Sequence, residues 1–117
     1  MSRSSITIER RPAGPGTRPQ QRRLPPVHPG EVLQDILRES GLSANMLALA
    51  LRVPANRIGA IVKGERGITG DTALRLARYF GTSAQMWMNL QAKYDLAVAT
   101  DALGKRIAAE VLPRPAA

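Results

Sequence analysis

The segment from Val53 to Thr69, VPANRIGAIVKGERGIT, places polar side chains on a short, otherwise apolar helix and follows it with a basic loop rich in glycine. Asn56 can form hydrogen bonds with both polar atoms of an adenine edge, and Arg57 can bind a guanine edge with two parallel hydrogen bonds. Lys63 carries a positive charge that suits a phosphate group. These residue types in this order indicate binding to a duplex nucleic acid.

The residue types that most catalytic sites need are scarce. His28 is the only histidine and there is no cysteine, which argues against a catalytic zinc site or a Ser-His-Asp triad. The loop 64–67, GERG, lacks the spacing of a phosphate-binding loop and follows no strand. Glu31, Asp35 and Glu39 share one helix face, which is either a solvated face or a docking site for a basic partner. We therefore expect no enzyme, no metal site and no cofactor.

Helical periodicity runs from Val27 to Pro113, and no convincing strand interrupts it, so the predicted fold class is all-α. Aromatic residues make up only 3% of the chain, which predicts an aliphatic core. The first helix should begin at His28–Pro29 and bury Val32, Leu33, Ile36 and Leu37. Six helical segments are predicted: HPGEVLQDILRESG, LSANMLALALR, VPANRIGAIVKG, TGDTALRLARYFG, SAQMWMNLQAKYDL and AVATDALGKRIAAEVLP.

Local signals predict the helix ends. Ser43 should cap the second helix, and Thr69 or Asp71 the fourth. Gly41 and Gly81 should end the first and fourth helices.

The second and third helices are separated only by RVPA, a link short enough to force a sharp turn. The apolar residues Leu47, Ala48, Leu51, Ile58 and Val62 fit the inside of that corner, which predicts a helix-turn-helix motif. The third helix would then enter a major groove with these outward residues: Ala55, Asn56, Arg57, Gly59, Ala60 and Lys63. Arg66 in the loop and Asn45 near the start of the second helix would contact the DNA backbone. The alternative is an ordinary helical bundle with solvated polar residues.

Residues 1–26 differ in composition from the remainder. They contain five prolines and six arginines against one glutamate, and so carry most of the net charge of +8. We interpret 1–26 as a disordered arm, 27–112 as the folded domain and 113–117 as a tail. The basic balance favours a polyanionic partner. No apolar run is long enough to span a membrane and no secretion signal is evident, so we expect a cytoplasmic protein.

The sequence resembles the HigA family of antitoxins, a branch of the phage-repressor-like (XRE) helix-turn-helix proteins. The resemblance rests on HPGEVLQDIL and on RIGAIVKGERGITGDTALRLARYFGTSAQMWMNLQAKYDL. It implies a five- to six-helix phage-repressor-like domain and a homodimer that binds a palindromic operator in its own promoter. It also implies binding to a HigB-type toxin, a RelE-like ribonuclease that cleaves messenger RNA. By the resemblance, Ala55, Asn56 and Ala60 occupy base-reading positions and Lys63 a phosphate-contacting one.

Two positions depart from the family pattern. Arg52 stands where glycine is common at the turn between the two helices. Arginine takes that geometry only with strain, so we expect a slightly altered turn. Met46 and Leu49 stand where surface polar residues are common. Either the second helix is slightly rotated or more buried than usual, or these side chains belong to a protein interface.

The last two predicted helices contain more apolar surface than a small core needs. We expect a dimer interface there, formed by Met86, Met88, Leu96, Val98 and Leu103, whereas Trp87 and Leu90 favour core packing. Three functions remain open. They are a DNA-binding antitoxin, a stand-alone transcription regulator without a toxin partner, and a protein-interaction module whose helix-turn-helix is vestigial.

Overall fold

The computed structural model describes residues 25–116, which form five α-helices with no strand among them. The helices are α1 (Pro29–Ser40), α2 (Ala44–Leu51), α3 (Ala55–Val62), α4 (Gly70–Phe80) and α5 (Ala84–Glu110). The predicted all-α fold is therefore confirmed. The predicted arm, apart from Pro25 and Pro26, lies outside the described residues.

α1 begins at the predicted helix entry. Nδ1 of His28 accepts a hydrogen bond from the amide of Gly30 at 2.9 Å, and the Glu31 carboxylate accepts one from the amide of His28 at 3.2 Å. This reciprocal pair satisfies amides that the first turn of a helix leaves without intrahelical partners. Pro29 occupies the first helical position, where no amide hydrogen is needed. Gly41 ends the helix with a φ of 69°, as predicted.

Gly30 brings the backbone of α1 into contact with the end of α3. A Cβ atom at this position would lie 1.8 Å from the carbonyl oxygen of Ile61, so a side chain cannot be accommodated unless the helices move apart. The N-cap residue of α1 contacts α5, because the ring of His28 packs edge-on against Tyr94 with the ring centroids 4.7 Å apart. The start of α1 is thus packed between α3 and α5.

The turn between α2 and α3 contains Arg52 in the left-handed conformation, with φ 62° and ψ 45°. The turn is thus not altered as expected: Arg52 keeps the left-handed geometry that glycine would adopt, which is costly for a residue with a Cβ atom. The amide of Arg52 donates to the carbonyl of Leu49 at 3.2 Å, and that of Val53 donates to Ala48 at 3.0 Å. These bonds satisfy carbonyls at the end of α2 and fix the direction in which α3 leaves it.

The core is largely aliphatic, as the composition predicts, but its largest fully buried side chain is Trp87. Its indole Nε1 donates to the Thr82 hydroxyl at 3.0 Å, which satisfies the buried donor. At the α2–α3 corner Val62 is only half-buried, and Ile61 has the fully buried position. The buried apolar residues are Leu33, Leu37, Leu47, Ala48, Leu51, Ile58, Ile61, Ile68, Ala73, Leu76 and Trp87.

The loop between α3 and α4 is tied to α5. The amide of Ile68 donates to Oε1 of Gln91 at 2.7 Å. Thr69, rather than Asp71, caps α4, since its hydroxyl accepts from the amide of Thr72 at 3.4 Å. Gly81 ends α4 with a φ of 73°.

The prediction of two separate helices after Ser83 is wrong, because α5 is one helix of 27 residues. The segment LAVATDAL contains neither glycine nor proline, so nothing in it ends a helix, and alanine favours its continuation. The helix also ends at Glu110, before the predicted stop at Pro113. Trp87 is its one buried residue, and from Val98 to Glu110 every residue except the half-buried Gly104 is exposed.

The Arg52→Gly variant should be more stable than the natural chain. Glycine adopts the left-handed conformation without a Cβ clash, so we expect the free energy of unfolding to rise by about 0.5–1 kcal/mol, net of the extra freedom of glycine in the unfolded chain. Urea unfolding followed by circular dichroism measures this. Arg52→Ala removes the same charge but keeps a Cβ atom, so an equal gain in that variant would contradict the strain explanation.

Candidate nucleic-acid interface

The inner side of α3 is anchored and its outer side is open. Ile58 and Ile61 are fully buried. Among the predicted base-reading residues, Ala55 and Asn56 are exposed and Gly59 and Ala60 are half-buried. Lys63, just past the helix, is exposed, as are Arg66 in the loop and Asn45 in the first turn of α2. The outer side of α3 therefore consists of small residues, with the side-chain amide of Asn56 near its start and the ammonium group of Lys63 just past its end.

The outer surface at Gly59 is empty. A Cβ atom placed there would meet no atom within 4 Å, so packing within the described chain does not require a glycine. Glycine in a helix interior costs about 0.5–1 kcal/mol relative to alanine. Since packing does not explain this cost, the glycine at position 59 suits a surface where another molecule approaches the helix backbone closely.

Arg57 has a partner that sequence reasoning did not foresee. Its Nη1 donates to Oδ2 of Asp71 in α4 at 2.7 Å, and its side chain is only 22% exposed. Its Nε is buried and has no hydrogen-bond partner. Arg57 thus lies on α3 as predicted, but its guanidinium is directed at the neighbouring helix.

Asp71 also binds Arg75, one turn further along α4. Arg75 Nε lies 3.1 Å and 3.2 Å from the two carboxylate oxygens, and Arg75 Nη1 donates to the carbonyl of Leu51 at 2.8 Å. Hydrogen bonds from Arg75 and then from Arg57 hold the pKa of the Asp71 carboxyl below its usual value of 3.8. At neutral pH this carboxylate is therefore ionised and links the end of α2, the start of α3 and α4.

Sequence reasoning treated Asp71 only as a possible helix cap and did not consider Arg75. The spacing of four residues between them is a detectable signal for an ion pair on a helix. The pairing of Arg57 with Asp71 spans 14 residues and depends on how α3 and α4 pack, so no local sequence pattern predicts it.

The exposure of Met46 and Leu49 tests the expectation that α2 is more deeply buried than usual. Met46 is 51% exposed and Leu49 is 76% exposed, so the explanation by deeper burial is wrong. Their assignment to a protein interface stays a prediction.

The residues predicted to form a dimer interface fall into two groups. Met86 and Met88 are half-buried against the core. Leu96, Val98 and Leu103 are exposed on α5. Trp87 packs in the core, as expected, and Leu90 packs against it.

A short helix held at a tight turn, with its apolar side buried and its polar side outward, defines a helix-turn-helix protein. A family model described as helix-turn-helix matches residues 33–87. None of the five described helices combines the length and apolarity needed to cross a membrane.

Three similar proteins narrow the class. Virulence-associated protein I of Dichelobacter nodosus is 56% identical over 77 residues, which are 65% of this chain and 71% of that protein. The structure of an addiction module antidote protein of a HigA family from Coxiella burnetii is 48% identical, with a TM-score of 0.74 over 78% of this chain and all of that one. The Pseudomonas aeruginosa antitoxin HigA, solved with the higBA promoter, is 52% identical, with a TM-score of 0.75 over 77% of this chain and 99% of that one. The chain belongs to the HigA family of helix-turn-helix antitoxins.

Proposed function

We propose that this chain is a DNA-binding antitoxin that represses its own operon and neutralises a HigB-type, messenger-RNA-cleaving toxin. The observation that carries the DNA-binding part is the outer surface of α3, where Asn56 is exposed, Gly59 is open and Lys63 is exposed just past the helix. The relative from P. aeruginosa was solved with promoter DNA, which supports the same use of this surface here.

Asn56 is the residue best placed to read a base. It is exposed on the first turn of α3, and its side chain forms no hydrogen bond with another described residue, so both polar atoms are available to an adenine edge. Ala55, Gly59 and Ala60 keep the surrounding surface low enough for the helix to approach the bases or a thymine methyl group.

Lys63, Arg66 and Asn45 supply contacts to the sugar-phosphate backbone. The two basic side chains are exposed and form no ion pair with any other residue between 25 and 116. Asn45 lies in the first turn of α2, where backbone amides without intrahelical partners favour anions. Backbone contacts of this kind position the protein without reading sequence.

Substitution of a base-reading residue and of a phosphate-contacting residue should have different effects. Asn56→Ala should weaken operator binding by about 1–3 kcal/mol and relax the preference at one base-pair position, because one bidentate contact is lost. Lys63→Ala should weaken binding to all sequences alike and reduce the slope of log K against log salt by about one unit. Fluorescence anisotropy with promoter and scrambled duplexes measures both, and equal losses on the two duplexes for Asn56→Ala would contradict the assignment.

A homodimer fits the distal half of α5. Leu96, Leu103 and Ile107 are 68%, 36% and 47% exposed, and their separations of seven and four residues place them on one side of the helix. Val98 lies two residues from Leu96 and hence on nearly the opposite side. We therefore assign the contact to the stripe Leu96, Leu103 and Ile107, without Val98 and the core-packed Met86 and Met88.

Leu103→Glu should produce a monomer, because a charge in the centre of an apolar contact is not compensated. Sedimentation at micromolar concentration measures the mass. Val98→Glu adds the same charge to the other side of the helix and should leave the dimer intact. A monomeric natural chain, or equal dissociation of the two variants, would contradict the assignment.

The toxin partner is proposed from the family. The antitoxin acts by binding and not by catalysis, and it works in the cytoplasm, where an operator and translated messenger RNA are both present. A stand-alone regulator of the same fold is the second candidate. It shares every feature of α3 and differs only in having no toxin to bind.

Co-expression separates these two candidates. If the reading frame adjacent to this chain encodes the proposed toxin, production of its product should stop growth, and co-production of the chain should restore growth and give a complex that co-purifies. The Asn56→Ala variant should protect equally well, because neutralisation needs no base reading. If the chain neither restores growth nor co-purifies with the co-produced protein, the stand-alone regulator is the remaining candidate.

A further inference from the structure

The placement of Arg57 is incompatible with the role that its position on α3 suggests. A bidentate contact with guanine uses either the two terminal nitrogens of the guanidinium or Nε with one of them. Nη1 of Arg57 is bound to Asp71 at 2.7 Å, and Nε is buried without a partner. Nη1 keeps a second N–H, but the side chain is only 22% exposed and its guanidinium is directed at α4, so Arg57 must turn away from Asp71 before it can present two N–H groups to a base.

We propose that Asp71 is a specificity-determining residue that competes with DNA for Arg57. On DNA without a matching base the guanidinium stays on Asp71, and at the operator it turns outward to a base edge. The inference rests on the proposed DNA-binding function and adds a residue that need not touch DNA.

The contacts around Asp71 allow this exchange. Asp71 keeps two contacts to Arg75 when Arg57 leaves, and Arg75 is itself anchored to the carbonyl of Leu51. The carboxylate is 53% exposed, so water screens the pair and its strength is modest. The buried, unpartnered Nε is a further cost of the held position that release removes.

The competition favours bases over phosphates for a simple reason. Exchanging Asp71 for a phosphate replaces one anionic acceptor by another of the same kind, so little is gained. A guanine edge instead offers two acceptors, O6 and N7, at positions that are present only where the base matches. Arg57 therefore leaves Asp71 for a matching base edge but stays on Asp71 when only phosphates are near.

The test measures affinity against salt concentration for the natural chain, Asp71→Asn, Arg57→Gln and the double variant. The probes are a duplex from the promoter of this chain and a scrambled duplex of the same length. On scrambled DNA, Asp71→Asn should bind about two- to fivefold more tightly, with a slope of log K against log salt steeper by about one unit, since the released arginine neutralises one more phosphate. The double variant should lose that extra slope.

Arg57→Gln should leave the scrambled-DNA slope of the natural chain unchanged while weakening promoter binding about tenfold. Asp35→Asn is the matched control, because Asp35 binds Arg38 at 3.1 Å on α1 and its removal makes the same change in formal charge. The proposal is overturned if Asp71→Asn and Asp35→Asn behave alike, or if the double variant keeps the gain. If the natural chain does not distinguish the two duplexes at all, the proposed function fails instead.

Discussion

The carbonyl of Ile61, at the end of α3, contacts Gly30, at the start of α1, so closely that a Cβ atom there would lie 1.8 Å from the oxygen. This contact and the burial of Ile58 and Ile61 determine how far α3 lies from the bundle. A larger residue in place of Gly30 would displace the helix and every side chain on its outer side. The direction in which Asn56 points is therefore set by a residue of another helix.

The two ends of α3 are held by different kinds of contact. At its end, the contact with Gly30 is between backbones and cannot be exchanged without moving α1. At its start, Arg57 and Asp71 meet through side chains, which can change partners while the helix stays in place. This asymmetry lets one side chain of α3 move on a rigid helix, which is the property that a discriminating contact needs.

The features that the sequence predicted best are the helix ends, because they depend on residues close together in the chain. His28, Ser43, Thr69 and Gly81 cap or end helices through atoms within a few residues of them, so their types and positions sufficed. The continuity of α5 was missed because two apolar patterns were separated where no residue breaks the helix. The pairing of Arg57 with Asp71 and the contact at Gly30 depend on how helices pack, which periodicity does not specify.

In the proposed homodimer, the distal half of α5 would link the contact between the two copies to operator binding. Trp87 anchors the start of the helix in the core, whereas from Val98 to Glu110 every residue except the half-buried Gly104 is exposed. A helical segment of that length is marginal alone in water, so a second copy that covers Leu96, Leu103 and Ile107 would stabilise it. The same contact would set the distance between two α3 helices, which must match half-sites about 34 Å apart. In the proposed dimer, substitutions on α5 should therefore alter operator binding by changing the spacing of the two α3 helices, while the outer surface of α3 stays unchanged.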